Sequence, residues 1–347
     1  MLAAVCSSLI GAPLLGAAQG EDSKAEAPFE CATPPEPVVS LSIGSRYQKD
    51  SATRSEIAEE SNEEVDKALE PVEAFINDVS QMANAAYLKQ ADGPAKADCA
   101  MGWLRAWAEG DALTQLDSLN ARLAVSPRLA GLALAFLQAQ PTATPGEGRD
   151  KPTIAWFNGQ AEAVIVFFET EAGPLASTNN LRAWATLAMA STGAITGDEK
   201  TLTWARDSYK LLVCGAGEDG AFPAEMERGE RALHYQLHAL APLVVAIGLL
   251  DPEGKADEEL CRSKLETIAD FTLAAVQEPK LVADLVGKDQ VFSGDDESKP
   301  APYQLAWAEP YLARYPDAAL EAYIKPLRPL RYSKLGGDLT AVYGADR

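Results

Sequence analysis

Four side chains that can grip an anion or move a proton recur close together: Arg228, Arg231, Tyr235 and His238, at spacings of three, four and three. On a continuous helix those spacings put all four on one stripe, because residues three and four apart are neighbours on a helix surface. Two guanidiniums beside a phenol suit a substrate carboxylate. Arg holds both carboxylate oxygens through parallel hydrogen bonds, and a phenol can carry a proton nearby. The same spacing fits a solvated face on which the arginines pair with Glu227 and Glu230, and both readings stay open. His234 points about 100° away from Tyr235 on a helix and reads as structural.

Two other places could join such a site. Asn179 and Asn180 precede the periodic run that opens at Leu181. An Asn there caps a helix, and the free N–H groups of that helix end also favour a carboxylate. Arg46 and Tyr47 follow an extended run, Val38 to Ile43, and offer a cation and an aromatic ring in a loop. The tryptophans, Trp184 among them, are expected mostly in the core, and the i, i+4 pair Trp103 and Trp107 marks a buried stripe. No stretch has the form of a phosphate loop, a nucleophile elbow or a dinucleotide fingerprint. With two histidines and no CxxC pair, neither a zinc site nor a cofactor is expected.

The elements that must position these residues read as helical. Apolar positions recur at three and four from Val65 to Val79, the signature of an amphipathic helix. The same period runs through 100–107, 113–123, 128–137, 154–168, 180–195, 200–213, 227–250, 258–275 and 305–314. Breakers such as Gly173-Pro174, Gly197-Asp198 and Asp251-Pro252 separate the runs. No βαβ alternation or hairpin stands out. About ten helices joined by short connections are expected to stack as helical hairpins, most naturally as an α/α toroid with a plain bundle as the competitor.

At 347 residues with 47% apolar content the chain can bury one large core. Its formal net charge of −21 argues against nucleic-acid binding and repels polyanions at long range, so an acidic ligand would need a local basic patch. Residues 1–20 read as a secretory signal peptide with a small-residue cleavage zone. A Pro-rich extended segment is expected over 21–45 and a single helical domain over 46–347. No later stretch reads as a membrane span. Export to the periplasm as a monomer is expected. Apart from Cys6, in the signal region, Cys31, Cys99, Cys214 and Cys261 remain; an even count in an exported chain permits disulfides without choosing among the three connectivities.

Islands along nearly the whole mature chain resemble the periplasmic poly(β-D-mannuronate) lyases, the alginate lyase family. They are Cys31 with Pro35-Glu36-Pro37, Ser45-Arg46-Tyr47, Cys99-Ala100 with 103–109, Asn179-Asn180 with Trp184, and Phe222-Pro223-Ala224-Glu225. Arg228 to Tyr235, Trp307 with Glu309-Pro310-Tyr311, and Leu335-Gly336-Gly337-Asp338 complete the series. The resemblance implies an incomplete α/α toroid with a tunnel-like cleft, a disulfide between Cys31 and Cys99, and an acidic polysaccharide as partner. It implies catalytic roles for Asn180, Arg228 and Tyr235, with Arg46 where the family has Lys. Tyr47, Asn179, Arg231, His238 and Trp184 are expected around the substrate.

The family's His position holds Leu181. β-Elimination removes the C5 proton beside a carboxylate and expels O4, so the carboxylate must be neutralised while charge develops on it. In mannuronate and glucuronate that proton and O4 lie on the same side, and one Tyr can serve both steps. In guluronate they lie on opposite sides, and a second base is needed. A phenol titrating near 10 needs activation, which Arg228, Arg231 and His238 could supply, His238 also standing in for the missing imidazole. Three expectations follow: a lyase preferring mannuronate- or glucuronate-type chains, a catalytically impaired polysaccharide-binding member serving exopolysaccharide handling, or a helical domain that binds another protein.

Overall fold

The computed structural model describes residues 29–51, 54–256, 258–292 and 296–344; the expected signal peptide lies outside them. Among the described residues the helices are α1 (Glu59–Tyr87), α2 (Gly93–Glu109), α3 (Leu119–Ala139), α4 (Lys151–Thr170), α5 (Gly173–Ala176), α6 (Asn180–Thr196) and α7 (Glu199–Val213). They continue as α8 (Pro223–Met226), α9 (Ala232–Leu250), α10 (Arg262–Gln277), α11 (Lys280–Val286), α12 (Ala308–Arg314), α13 (Ala318–Ile324) and α14 (Leu339–Tyr343).

An inner row runs α1, α3, α6, α9, each packed along the next. Helices α2, α4, α7 and α10 back it from outside, giving the incomplete α/α toroid. The two rows follow from two sequence patterns. Helix α1 buries one stripe, including Val65, Leu69, Val72, Phe75, Ile76 and Val79, and keeps its acidic face in water. Helices α3, α6 and α9 are apolar nearly all round because neighbours cover them on several sides. The stretch Gly229–Leu250 is in fact long and apolar enough to cross a membrane, with mean hydropathy 1.5, contrary to the expectation from sequence. It is the central core helix, 78% of that window being buried inside the protein. Such uniform apolarity marks either a membrane span or a helix enclosed by others.

The run at 113–123 is not one helix: Gln115–Leu116 forms a short strand, β2, parallel to β1 (Ser40–Leu41), and Ser118 caps α3 by accepting from the Ala121 N–H at 3.1 Å. The run at 258–275 becomes helical only at Arg262. An antiparallel pair, β3 (Arg331–Tyr332) and β4 (Gly337–Asp338), was also not anticipated.

The extended N-terminal segment is strapped to α2. Cys31 and Cys99 form a disulfide, and the indoles of Trp103 and Trp107 donate to the carbonyls of Ala32 and Pro35 at 2.9 and 3.0 Å. Phe75 stacks on Trp107, centroids 3.6 Å apart. A second disulfide joins Cys214, after α7, to Cys261, before α10. Closing loops of this length restricts the unfolded chain by roughly 4 kcal/mol each in the chain-entropy picture.

The C-terminal segment is fixed by a buried carboxylate. Glu309, 1% exposed, accepts from Arg328 at 2.7 and 3.0 Å and from the Thr340 hydroxyl at 2.6 Å; Arg328 also reaches Glu321. This knot lies beside the β3–β4 pair, of which β4 packs on α1 and the connecting turn at Ser333–Leu335 packs on α3. Glu309→Ala leaves Thr340 without its acceptor and Arg328 with Glu321 alone. Its expected cost is about 3 kcal/mol, the low end for breaking a buried pair, read from denaturant unfolding; an unchanged midpoint would show that the knot carries no stability.

Candidate active site

A cavity of about 350 Å³ opens where the N-terminal ends of α3, α6 and α9 converge. Its wall takes Asn120 from the start of α3, Asn180 and Leu181 from the first turn of α6, and Tyr235 from the first turn of α9. Residues 43–47 and Arg54 form another side. Converging helix N-termini make such a place favourable for negative charge. Four arginines line it, Arg46, Arg54, Arg128 and Arg228, and among the described lining residues there is no Asp or Glu. In a chain of net charge −21 this is the local reversal that an acidic ligand requires. A larger cavity of about 910 Å³ lies between α1 and the C-terminal segment and contains none of these residues.

Asn180, Arg228 and Tyr235 share this cavity although 55 residues of chain separate the first from the last. Asn179 caps α6, its side chain accepting from the Leu181 N–H at 2.9 Å, which points the backbone of Asn180 inward. The stripe imagined from 228 to 238 is broken. Gly229 takes φ 56°, a left-handed conformation that glycine adopts freely, and Gly229–Arg231 form a 3₁₀ turn ahead of α9. Arg228 therefore lies outside the helix, yet its guanidinium carbon sits 3.5 Å over the Tyr235 ring and 5.6 Å from the Tyr47 ring. Its Nη2 donates to the carbonyl of Arg54, and Arg231 Nε donates to that of Ser55 at 2.8 Å. The two arginines thus fasten the 46–58 segment, whose ends pair through Tyr47 and Ile57. Arg46 bonds Asn62 and pairs with Asp66 at 2.6 Å.

Three residues expected around the substrate stand outside this wall. Trp184 is fully buried, so its ring offers no face to a sugar. Its indole donates to His238 Nε2 at 3.0 Å. Burial, then His234 and nearby cations, hold the His238 imidazole well below its usual range. His238 is therefore a neutral acceptor for Trp184 rather than a replacement for the missing imidazole. Arg231 acts through the backbone of the 46–58 segment. His234, expected to be structural, contacts Gln304 at 2.9 Å, and burial with Arg231 and Arg228 lowers it to about 3.

One residue not singled out from sequence is Glu225. It is fully buried on α8, accepts from the Asn180 backbone N–H, and takes the Asn180 Nδ2 at 3.2 and 3.1 Å. Its position three residues before Arg228, after Phe222-Pro223, was the available signal. Arg128, also not singled out, had one too: a cation in the middle of an apolar helix, where charged groups seldom lie unpaired. Among the described residues no group of three or more His, Cys, Asp or Glu side chains could hold a metal ion.

Burial raises Glu225 to about 7 against the pull of Arg228 and Asn180. A carboxyl raised on folding favours the folded state below its unfolded value, and that contribution is lost as pH rises through about 7. The expected loss is about 3 kcal/mol. His234 and His238 act in the opposite sense, since depressed imidazoles cost stability only as pH falls below their unfolded range. Comparing thermal melts of the unaltered protein and Glu225→Gln from about pH 5 to about pH 8 isolates the carboxyl. The unaltered protein should lose stability relative to the variant over that window, and a constant difference would rule the linkage out.

A family model described as alginate lyase matches residues 16–282. The alginate lyase of Pseudomonas syringae pv. syringae (strain B728a) is 30% identical over 329 residues, covering 91% of this chain and 83% of that protein. The alginate lyase of Azotobacter vinelandii is 30% identical over 335 residues, covering 92% and 85%. Among solved structures, alginate lyase A1-III from Sphingomonas species A1 superposes with a TM-score of 0.67 at 22% identity, covering 91% and 88%. A variant of it complexed with a tetrasaccharide gives 0.71 at 22% identity, covering 93% and 89%. At that identity the structural likeness establishes the fold.

Proposed function

This chain belongs to the alginate lyase family, and on that premise we propose that it cuts an acidic polysaccharide of the alginate type by β-elimination, preferring mannuronate- or glucuronate-type units. The observation that carries the reading is the cavity itself: four arginines and three helix N-termini, with no carboxylate among the described lining residues, in a strongly acidic chain. Arg228 and Asn180 neutralise the C6 carboxylate, so that negative charge can develop on it as the C5 proton leaves. Tyr235, as the phenolate, takes that proton. The C5–H electron pair forms the C4=C5 bond, the C4–O4 bond breaks, and the Tyr235 hydroxyl returns its proton to O4. Glu225 sets the orientation of Asn180 by taking its amide nitrogen on both carboxylate oxygens.

Leu181 lines the cavity where this mechanism has no use for a group on the opposite ring face. It favours syn elimination and equally supports a second reading, a binding member that holds an exopolysaccharide without cutting it. The two disulfides accord with an oxidising compartment, and we propose the periplasm. Purified protein is to be incubated separately with polymannuronate, polyguluronate and a glucuronan, following the ultraviolet absorbance of the unsaturated product. Cleavage of polymannuronate or glucuronan but not polyguluronate supports the lyase. Binding without product on any polymer selects the second reading.

A further inference from the structure

Behind the Tyr235 phenol lies a buried polar side chain that the proposed chemistry does not touch. Gln236 is the next residue on α9, about 100° further round the helix. It is 0% exposed and is not among the described residues that line the cavity. Its Oε1 accepts from the Phe222 N–H at 2.9 Å, and its Nε2 donates to the Gly220 carbonyl at 3.1 Å and to the Thr272 hydroxyl at 3.2 Å. The Thr272 hydroxyl spends its own proton on the Ile268 carbonyl at 2.7 Å, so it meets Gln236 as an acceptor. The amide therefore has one orientation, with its oxygen towards Phe222. Burying an amide is costly unless it is bonded. This one is bonded at three points, to α10 and to the loop that leads into α8.

From Phe222 the connection runs on to the cavity. The Phe222 carbonyl accepts from the Glu225 N–H at 3.0 Å, and the Glu225 carbonyl accepts from the Arg228 N–H at 3.0 Å. The Glu225 carboxylate holds the Asn180 amide. Helix α8 has four residues, a single turn that does not hold its own shape in water. Its shape comes from what it hangs on. Gly220 takes φ 91° and lies flat on α10, where a Cβ would press into the Thr267 carbonyl. The loop is thus pinned between α10 and Gln236, and α8 carries that fixed point to both groups that neutralise the substrate carboxylate.

We propose that Gln236 is a positioning residue for the elimination. Through Phe222 and α8 it fixes Asn180 and Arg228 relative to Tyr235 on its own helix, so that carboxylate neutralisation and proton transfer act on one sugar ring. This rests on the lyase reading above and adds a residue that touches no substrate.

The test is a double-mutant cycle on polymannuronate cleavage, run well below the melting temperature of every variant. Gln236→Met keeps the side-chain length and removes all three bonds. It should lower kcat about tenfold, less than the roughly hundredfold that a misplacement of about 1 Å can cost. In an Asn180→Ala background it should lower kcat about threefold or less, because one of its two routes is then gone. An equal loss in both backgrounds overturns the proposal, since a merely structural role would not depend on Asn180. Gln236→Glu keeps an acceptor for the Phe222 N–H and should recover most of the lost rate; a loss as large as that of Gln236→Met also overturns it. If Gln236→Met does not fold, Thr272→Ala replaces it, removing the partner that fixes the amide orientation. That change should cost about threefold with Asn180 present and less with alanine there; an equal loss in both, or none, overturns the proposal. Should the unaltered protein bind a mannuronate tetramer and cut no polymer, the lyase reading alone fails, and the same cycle read as calorimetric tetramer affinity decides this inference. Binding of no tetramer removes both.

Discussion

Tyr235→Phe should lower the rate of polymannuronate cleavage by a factor of roughly 10² to 10⁴, the range that positioned proton transfer supplies. The substitution removes one oxygen and little else. The ring is 7% exposed, packed under the Arg228 guanidinium and edge-on to His234 at 4.9 Å, and phenylalanine keeps both contacts. The melting temperature and the affinity for oligomannuronate should therefore hold while turnover falls. That split separates a catalytic role from a structural one, because a structural role would move stability and affinity along with rate. Full activity in the variant would mean that another group carries the proton, and the assignment of Tyr235 would have to be abandoned.

The second large effect is a gain. Leu181→His should confer cleavage of polyguluronate, about 10² above the unaltered protein, by supplying a base on the ring face that Tyr235 does not reach. Leu181 is the second residue of α6, half-buried and on the cavity wall. Its backbone N–H already serves the Asn179 cap, so the change of side chain leaves the helix start intact. An imidazole at a helix N-terminus is disfavoured as a cation, which keeps it available as a base. Should the unaltered protein be inactive, the same substitution together with Arg46→Lys distinguishes a silenced lyase from a binding protein. Recovery of activity identifies the first; continued binding without product identifies the second. Arg46→Lys alone is the smaller change, since Arg46 is already engaged by Asn62 and Asp66.

The local content of this fold was readable from residue order. Period-three-and-four apolarity located the long helices, and Asn179 was a capping residue in the sequence before it was a cap in the structure. Asn180, Arg228 and Tyr235 could be named as a set because their types fit one reaction and the surrounding islands resembled one family. The structure departs from these readings at three places. The 228–238 stripe assumed an unbroken helix, but Gly229 turns left-handed and frees Arg228 from it. The resemblance placed Trp184 beside a sugar and the stripe placed His238 there, yet the Trp184 indole donates to His238 inside the wall. No later stretch was read as a membrane span, yet Gly229–Leu250 is long and apolar enough for one, because other helices enclose it.

What only the tertiary structure decided was charge in space. Composition fixes a total of −21, but a total has no location. Packing the N-terminal ends of α3, α6 and α9 together gathers Arg46, Arg54, Arg128 and Arg228 around one cavity whose described lining holds no Asp or Glu. It also buries Glu225 against Asn180 and leaves Arg128 and Lys334 to share Glu73. Desolvation depends on what surrounds a group in three dimensions, and those neighbours come from chain positions up to 261 residues apart, as Glu73 and Lys334 are. Sequence therefore determined which helices form and which chemistry was available, and the fold determined which of those groups meet a substrate.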